Sequence, residues 1–192
     1  MAIEIKGNWT KGFSLDLHTE SSEYLGVDDF GHDRFETKRT KIGELLYKLK
    51  YKSDKTVIPD IINAIKSSMQ NIDKIDFIVP VPPSKKTRNY QPVYEIGKSL
   101  SQDTGVPFIE NALSKKSSNE LKNITDISER ERILKESISL ESGIDFSGKK
   151  VLVIDDLYRS GATLRAVTSV ILEDGNAKNV FVLTLTKTRS KT

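Results

Sequence analysis

Residues 151–164, with the sequence VLVIDDLYRSGATL, constrain the fold more than any other stretch of this chain. Four apolar residues run without a break from Val151 to Ile154, and the apolar spacing turns helical after Thr163. A continuous apolar run ahead of a helix is typical of a parallel strand that is buried on both faces. The sequence therefore predicts an α/β fold in which a central, mostly parallel sheet is flanked by helices.

Polar residues follow this strand at the position where open parallel sheets bind their ligands. Asp155 and Asp156 come first, and a small-residue loop then leads into the helix. The loop consists of Arg159, Ser160, Gly161, Ala162 and Thr163. Backbone N–H groups and the helix dipole suit a phosphate there, and Gly161 permits close backbone approach. Because carboxylates accept hydrogen bonds from sugar hydroxyls, the stretch indicates a site for a ribose 5-phosphate. A plain strand end, with Asp155 capping the turn, would explain one acid but not two.

The same residues resemble the phosphoribosyl pyrophosphate (PRPP) motif of the type I phosphoribosyltransferases, which has four apolar residues, two acids, a variable pair and a Ser/Thr–Gly–small–Thr loop. The resemblance implies the Rossmann-like fold of that family and transfer of 5-phosphoribose from PRPP to a nitrogen nucleophile, with release of pyrophosphate. It also implies that Asp155 and Asp156 bind the ribose hydroxyls and hold Mg²⁺, partly through water.

Two other segments extend the resemblance to the ComF-like (competence protein F type) branch. Residues 45–62 are similar to its lysine–tyrosine segment, with Lys50 and Tyr51 at the centre, and residues 76–100 to its strand, pyrophosphate loop and helix. Lys50 and Tyr51 are thus possible site residues, although lysines at a helix end also simply complement the helix dipole. The chain has no cysteine, so we expect it to lack the zinc ribbon that is common in that branch.

A second candidate site follows the apolar stretch FIVPV, where residues 82–90 (PPSKKTRNY) place three cations in one short loop. A leaving pyrophosphate needs cations and backbone donors, because negative charge develops on it as the C1 bond breaks. We therefore predict a pyrophosphate loop, with an ordinary basic surface loop as the alternative. Its residues are Pro83, Ser84, Lys85, Lys86 and Arg88. The candidate catalytic residues are Asp155, Asp156, Lys85 and Arg88.

The composition limits the classes of protein that this chain can represent. With 192 residues, of which 36% are hydrophobic, it can build one domain with a full core. The lack of cysteine excludes disulfides and thiolate metal sites. No apolar run reaches the length of a membrane span, and the N-terminus lacks the features of a signal peptide. We therefore expect a cytoplasmic protein with no membrane partner, and leave a homodimer open beside a monomer.

Two functions of other classes stay open at this point. The chain could be a regulator that senses PRPP or a nucleotide without turnover, or a ComF-like accessory factor in DNA uptake or repair. Few aromatic residues interleave with the basic ones, and the net charge is only +3, so nucleic acid is not the favoured partner. Arg159 stands where 6-oxopurine phosphoribosyltransferases usually have an aspartate, which implies poor use of hypoxanthine and guanine.

The rest of the chain divides into residues 1–40, predicted as an N-terminal β-hairpin or hood, and residues 41–192, predicted as the core. Period-two alternation marks strands before residue 20, and residues 21–40 read as loop, with His32 in a solvated loop favoured over a metal site. Helices are predicted over residues 40–52, around 127–137 and after 163, and two more begin near residues 59 and 92. Strands are predicted over residues 77–81, 105–113, 150–155 and 180–185. Gly175 is predicted to end the helix that precedes the last strand. The charged stretch 114–136 suits a solvated helix and loop, or a flap over the site.

Overall fold

The central sheet has the predicted parallel core. The computed structural model describes residues 2–83, 90–116 and 127–189, with the backbone alone for 127–131. In spatial order the five strands of the sheet are β1 (Ile3–Glu4), β2 (Lys11–Leu17), β9 (Asn179–Lys187), β8 (Lys150–Tyr158) and β5 (Phe77–Pro80). Strands β2, β9, β8 and β5 run parallel, and only β1 pairs antiparallel in this sheet. The central sheet is therefore mostly parallel, as the sequence predicts.

Helices cover both faces of this sheet. They are α1 (Lys41–Tyr51), α2 (Ile58–Ser68), α3 (Pro92–Thr104), α4 (Ile127–Ser137) and α5 (Ala162–Glu173), with short 3-10 helices at Lys55–Val57 and Ile72–Lys74. One core contains residues of α1, α2 and α3 together with Leu152 and Ile154. The other contains residues of α4 and α5 together with Val151 and Val153. Because successive strand residues point to opposite faces, β8 contributes to both cores and is buried as predicted. No helix in the described ranges is long and apolar enough to cross a membrane.

In the N-terminal segment, the structure differs from the loop that was expected over residues 21–40. Strands β1 and β2 belong to the central sheet, where β2 pairs with β9 from Lys11↔Phe181 to Leu17↔Lys187. Residues expected to form a loop instead make a two-stranded antiparallel hairpin, β3 (Thr19–Val27) and β4 (Asp33–Arg39). Most of this hairpin is exposed on both faces, so its sequence lacks the apolar alternation by which half-buried strands are recognised.

Two further local predictions need correction. The strand expected over residues 105–113 is a single bridge from Phe108 to Ile78, because Pro107 has no N–H and the chain turns at residues 110–111. The following segments form a small antiparallel sheet of β6 (Leu113–Lys115) and β7 (Ile138–Leu140). Gly175 does not close α5 with a left-handed turn; Asn176 takes that conformation, at φ 53°.

Candidate active site

The two acids predicted to bind ribose lie at the carboxyl edge of the sheet, in the C-terminal half of β8. Ile154 pairs with Leu183 and Asp155 with Thr184 of β9, so the β8 ladder continues through the acidic pair. Side chains leave a strand alternately, and Asp156 turns toward α1, which packs on the sheet through buried Leu46 and Leu49.

Lys50 is the partner of Asp156. Its Nζ donates to Asp156 Oδ2, although the two residues are 106 positions apart in the chain. Both side chains are about four-fifths buried, at 21% and 19% exposure, so this is a shielded ion pair and not a solvated surface contact. The structure thus brings Lys50 to the acids. The neighbouring Tyr51 is 63% exposed and stacks on Tyr47, with ring centroids 5.3 Å apart.

Asp155 carries the most perturbed carboxyl of the site. Partial burial and, second, the negative charge of Asp156 raise the pKa of Asp155 to about 7. The backbone N–H of Asp156, 2.8 Å from Asp155 Oδ1, and the charges of Lys50 and Lys115 act in the opposite direction. A carboxyl poised near neutrality in a cleft is a frequent mark of a functional site.

Lys115 is a site residue that the sequence reasoning missed. It lies on β6, and burial lowers the pKa of its ammonium while the charge of Asp155 raises it. It lines the same cavity as the predicted phosphate loop. Its position in a stretch of mixed charge made it indistinguishable from solvated lysines, and the β6–β7 pairing that carries it to Asp155 is long-range.

The predicted phosphate loop contains a glycine in the left-handed backbone conformation. Gly161 precedes α5 with φ 77°, a left-handed value, and a Cβ there would lie 2.7 Å from Cε2 of Tyr158. Arg165 Nη1 donates to the carbonyl of Ser160 at 3.1 Å and holds the loop from the helix side. The loop borders a cavity of about 290 Å³ that Asp155 also lines. The first N–H groups of α5, which have no partner inside a helix, lie at this loop.

The predicted pyrophosphate loop leaves the sheet next to the acids. The N–H of Val81 donates to the Ile154 carbonyl at 2.9 Å, so Pro83 follows directly beside β8. At the far end of the loop, the hydroxyl of Tyr90 donates to the carbonyl of Leu49 and ties that end to α1. The predicted residues Ser84, Lys85, Lys86 and Arg88 lie outside the described residues.

One open cleft of about 650 Å³ joins these parts. Its lining includes Lys50, Pro83, Asp155, Asp156, Arg159 and Thr163. The cleft therefore brings together side chains from α1, the end of β5, the end of β8 and the loop before α5. Such a concave site at the carboxyl ends of parallel strands is where this class of sheet binds ligands.

The acidic pair suits a divalent cation that a substrate also ligates. Its two carboxylates lie close enough for the charge of Asp156 to raise the pKa of Asp155, and burial raises it further. No third His, Cys, Asp or Glu joins them to form a cluster within the described parts of the chain. Mg²⁺ typically takes one or two carboxylates and completes its shell with waters and phosphate oxygens, so the donor set fits this ion.

A half-buried histidine lies near the acids, at the end of β2. His18 Nδ1 lies 3.1 Å from Thr186 Oγ1, and that hydroxyl donates to the Asp156 carbonyl at 3.3 Å. Burial, and then the charges of Arg39, Lys50 and Arg159, lower the pKa of His18. His18 is therefore neutral at pH 7. It is linked to the Asp156 carbonyl through the Thr186 hydroxyl.

Comparison with known proteins assigns the chain to a family. The family model of the phosphoribosyl transferase domain matches residues 50–192. This chain belongs to that family. It is 30% identical over 151 residues to competence protein ComFC of Bacillus subtilis (strain 168), a match that covers 74% of this chain and 58% of the relative. The predicted resemblance to the ComF-like branch is thus confirmed, and the chain spans little more than half of that relative's length.

Comparison with solved structures gives more distant likenesses. Adenine phosphoribosyltransferase from Leishmania tarentolae is 12% identical, with a TM-score of 0.48 and coverage of 97% of this chain and 94% of that one. Glutamine PRPP amidotransferase from B. subtilis is 20% identical, with a TM-score of 0.47 and coverage of 82% and 34%. The family assignment rests on the family model and not on these distant likenesses.

Proposed function

We propose that this protein binds PRPP together with Mg²⁺ and transfers 5-phosphoribose to a nitrogen nucleophile, releasing pyrophosphate. The observation that supports this best is that Asp155 and Asp156 line one cleft with the loop before α5. That combination offers carboxylate acceptors for ribose hydroxyls beside helix N–H donors for a phosphate.

In this proposal the 5-phosphate binds at the loop before α5. The N–H groups at the start of the helix and the hydroxyls of Ser160 and Thr163 donate to it, and Gly161 leaves room for the close approach. Asp156, held by Lys50, accepts from a ribose hydroxyl, and Asp155 lines the same cleft.

The leaving group would bind in the loop that starts at Pro83, where Lys85 and Arg88 are the proposed cations. Asp155 and Asp156 would hold Mg²⁺, which neutralises charge on the ribose and pyrophosphate oxygens when bound. Catalysis then comes mainly from positioning and from stabilising the charge that develops on the departing pyrophosphate. Lys115 adds a positive charge on the side of Asp155.

The proposal is tested by titrating PRPP into the protein in the presence of Mg²⁺ and by measuring pyrophosphate release with a panel of nitrogen nucleophiles. The double variant Asp155→Asn, Asp156→Asn is expected to lose most of its affinity for PRPP while keeping its fold. Asp174→Asn is the matched control, because this carboxylate lies at the opposite end of α5.

Three results separate the candidate functions. Loss of PRPP affinity in the double variant, with acceptor-dependent pyrophosphate release by the wild-type protein, supports the transferase. PRPP binding without release for any nucleophile would favour a sensing regulator. Equal affinity of the wild-type protein and the double variant for PRPP would show that the two acids do not bind it.

A further inference from the structure

The hairpin of β3 and β4 exposes an unusual concentration of apolar surface. Among the described residues, all large hydrophobic side chains that are strongly exposed lie on this hairpin, except Tyr51. They are Tyr24, Leu25, Val27, Phe30 and Phe35. Phe30, at the turn, is the most exposed of them at 85%. Clustered apolar exposure of this kind marks an interaction surface, whereas single exposed residues are ordinary.

The hairpin has little support from the rest of the protein. Tyr24 and Phe35 pair across its two strands with ring centroids 5.4 Å apart. At its base, Arg39 stacks over the ring of Tyr47 in α1, 3.9 Å from the centroid. An isolated two-stranded hairpin is at best marginally stable in water, so a partner surface against its apolar side chains would stabilise it.

The hairpin is acidic as well as apolar. Residues 19–39 carry six Asp and Glu against three Lys and Arg, in a chain whose net charge is +3. At the tip, Asp28 is engaged within the turn, where its Oδ1 accepts the N–H groups of Phe30 and His32, both at 2.9 Å. Asp29 and Asp33 add two further negative charges beside Val27 and Phe30. The chemistry that matches this tip is an apolar groove rimmed by cations.

The structure contains such a groove at the opposite edge of the central sheet. It has a volume of about 510 Å³, and Phe13, Phe181, Met69 and Ile75 contribute its apolar wall. Three lysines also line it, and none of them forms an ion pair within the described part of the chain. They are Lys11, Lys74 and Lys150.

The groove lies beside the first residues of β2. To reach the groove of its own chain, the hairpin would have to fold back along the sheet. Lys11 and Phe13, in the groove, lie at the start of β2, whereas the hairpin begins directly after its end at Leu17. Seven strand residues separate the two edges by roughly 20 Å, and no hairpin residue lines the groove. We propose that the tip of the hairpin, residues 27–33, seats in this groove of a second copy of the chain.

The contact would bury Phe30 and Val27 against the phenylalanines of the groove and set Asp29 and Asp33 against its lysines. Two copies that exchange tips reciprocally form a closed dimer, and one-way contacts form a larger assembly. Both forms depend on the same pair of surfaces, and neither the tip nor the groove contributes a lining residue to the cleft of about 650 Å³.

The test is the mass of the particle in solution, measured by light scattering after size exclusion over a range of protein concentrations. The wild-type protein is expected to exceed the monomer mass of 21.6 kDa as its concentration rises. A tip variant (Val27→Ser, Phe30→Ser) and a groove variant (Lys11→Glu, Lys74→Glu) are each expected to stay monomeric. A mixture of the two variants should associate again, since one keeps an intact groove and the other an intact tip.

Two controls keep the result specific. Tyr51→Ser removes the exposed apolar side chain outside the hairpin, and Lys41→Glu reverses an exposed lysine outside the groove; neither is expected to alter the mass. Circular dichroism verifies that every variant is folded. A wild-type protein that stays monomeric up to millimolar concentration would overturn the proposal. So would two defective variants that fail to complement each other when mixed.

Discussion

Replacing Asp155 with Asn is expected to stabilise the unliganded protein at neutral and alkaline pH. The carboxyl of Asp155 has a pKa near 7 because of burial and the charge of Asp156, against 3.8 in its ordinary state. Above pH 7 the folded protein must therefore hold an ionised group in an unfavourable environment. Asparagine has nearly the same shape and can still accept the N–H of Asp156 through its amide oxygen.

The sign and size of the effect follow from proton linkage. Between pH 3.8 and about 7 the folded protein binds a proton at Asp155 that the unfolded chain has released. The free energy of unfolding therefore falls as pH rises through this window and is level above it. A difference of about three pKa units, at about 1.36 kcal/mol each, gives roughly 4 kcal/mol as the upper value of the gain in the variant.

Urea denaturation of both proteins in magnesium-free buffer measures this difference. We expect the variant to be more stable by a few kcal/mol at about pH 8, and the gain to vanish near pH 4. Asp54→Asn is a control of opposite sign. Hydrogen bonds from the Thr56 side chain and N–H lower the pKa of Asp54, so that variant loses stability at neutral pH and not in acid.

A variant of Asp155 that is less stable than the wild-type protein at pH 8 would refute the reasoning. A gain of equal size at both pH values would also refute it, because the gain would then come from packing and not from the charge.

Three other predictions concern the proposed site. Gly161→Val should abolish binding of ribose 5-phosphate in calorimetry and lower the melting temperature, because a Cβ at φ 77° would meet the Tyr158 ring and a left-handed non-glycine residue costs roughly 1–2 kcal/mol; unchanged affinity would put the phosphate elsewhere. Lys50→Met leaves Asp156 without its cation, so the free energy of unfolding should fall by roughly 3–5 kcal/mol and PRPP binding should weaken. Lys52→Met, at the C-terminal end of the same helix, is the matched control. Pyrophosphate release with hypoxanthine or guanine should be negligible, because Arg159 cannot act as a base; a rate of roughly 1 per second would contradict this, and Arg159→Asp tests whether this position alone selects the acceptor.

The core of the fold could be predicted because its elements carry strong local signals. The unbroken run of Val151 to Ile154 and the helical spacing of Leu164, Val167 and Ile171 both reflect burial, and the structure buries all of them. The hairpin of β3 and β4 was missed for the opposite reason. Its side chains are exposed on both faces, so no apolar alternation was available to mark it.

The contacts of the site were less predictable than its motifs. Asp155, Asp156 and the loop before α5 lie close together in the chain, so one local motif was enough to predict a ribose 5-phosphate site there. The ion pair of Lys50 with Asp156 spans 106 positions, and Lys115 reaches Asp155 from a separate small sheet. Such contacts depend on the tertiary arrangement, and no local pattern distinguishes these lysines from the many that are solvated.

The structure also bears on whether Asp155 serves the fold or a ligand. A purely structural acid at a strand end would be expected to gain stability from its charge, as Asp54 does through the hydrogen bonds from Thr56. Asp155 does the reverse, since its burial and the neighbouring Asp156 make its ionised form costly. Its bond to the Asp156 N–H is one that an uncharged asparagine forms equally well. The charge of Asp155 is therefore unfavourable in the unliganded fold. In the proposed function, a cation or a hydroxyl donor bound in the cleft would turn that charge into a stabilising interaction.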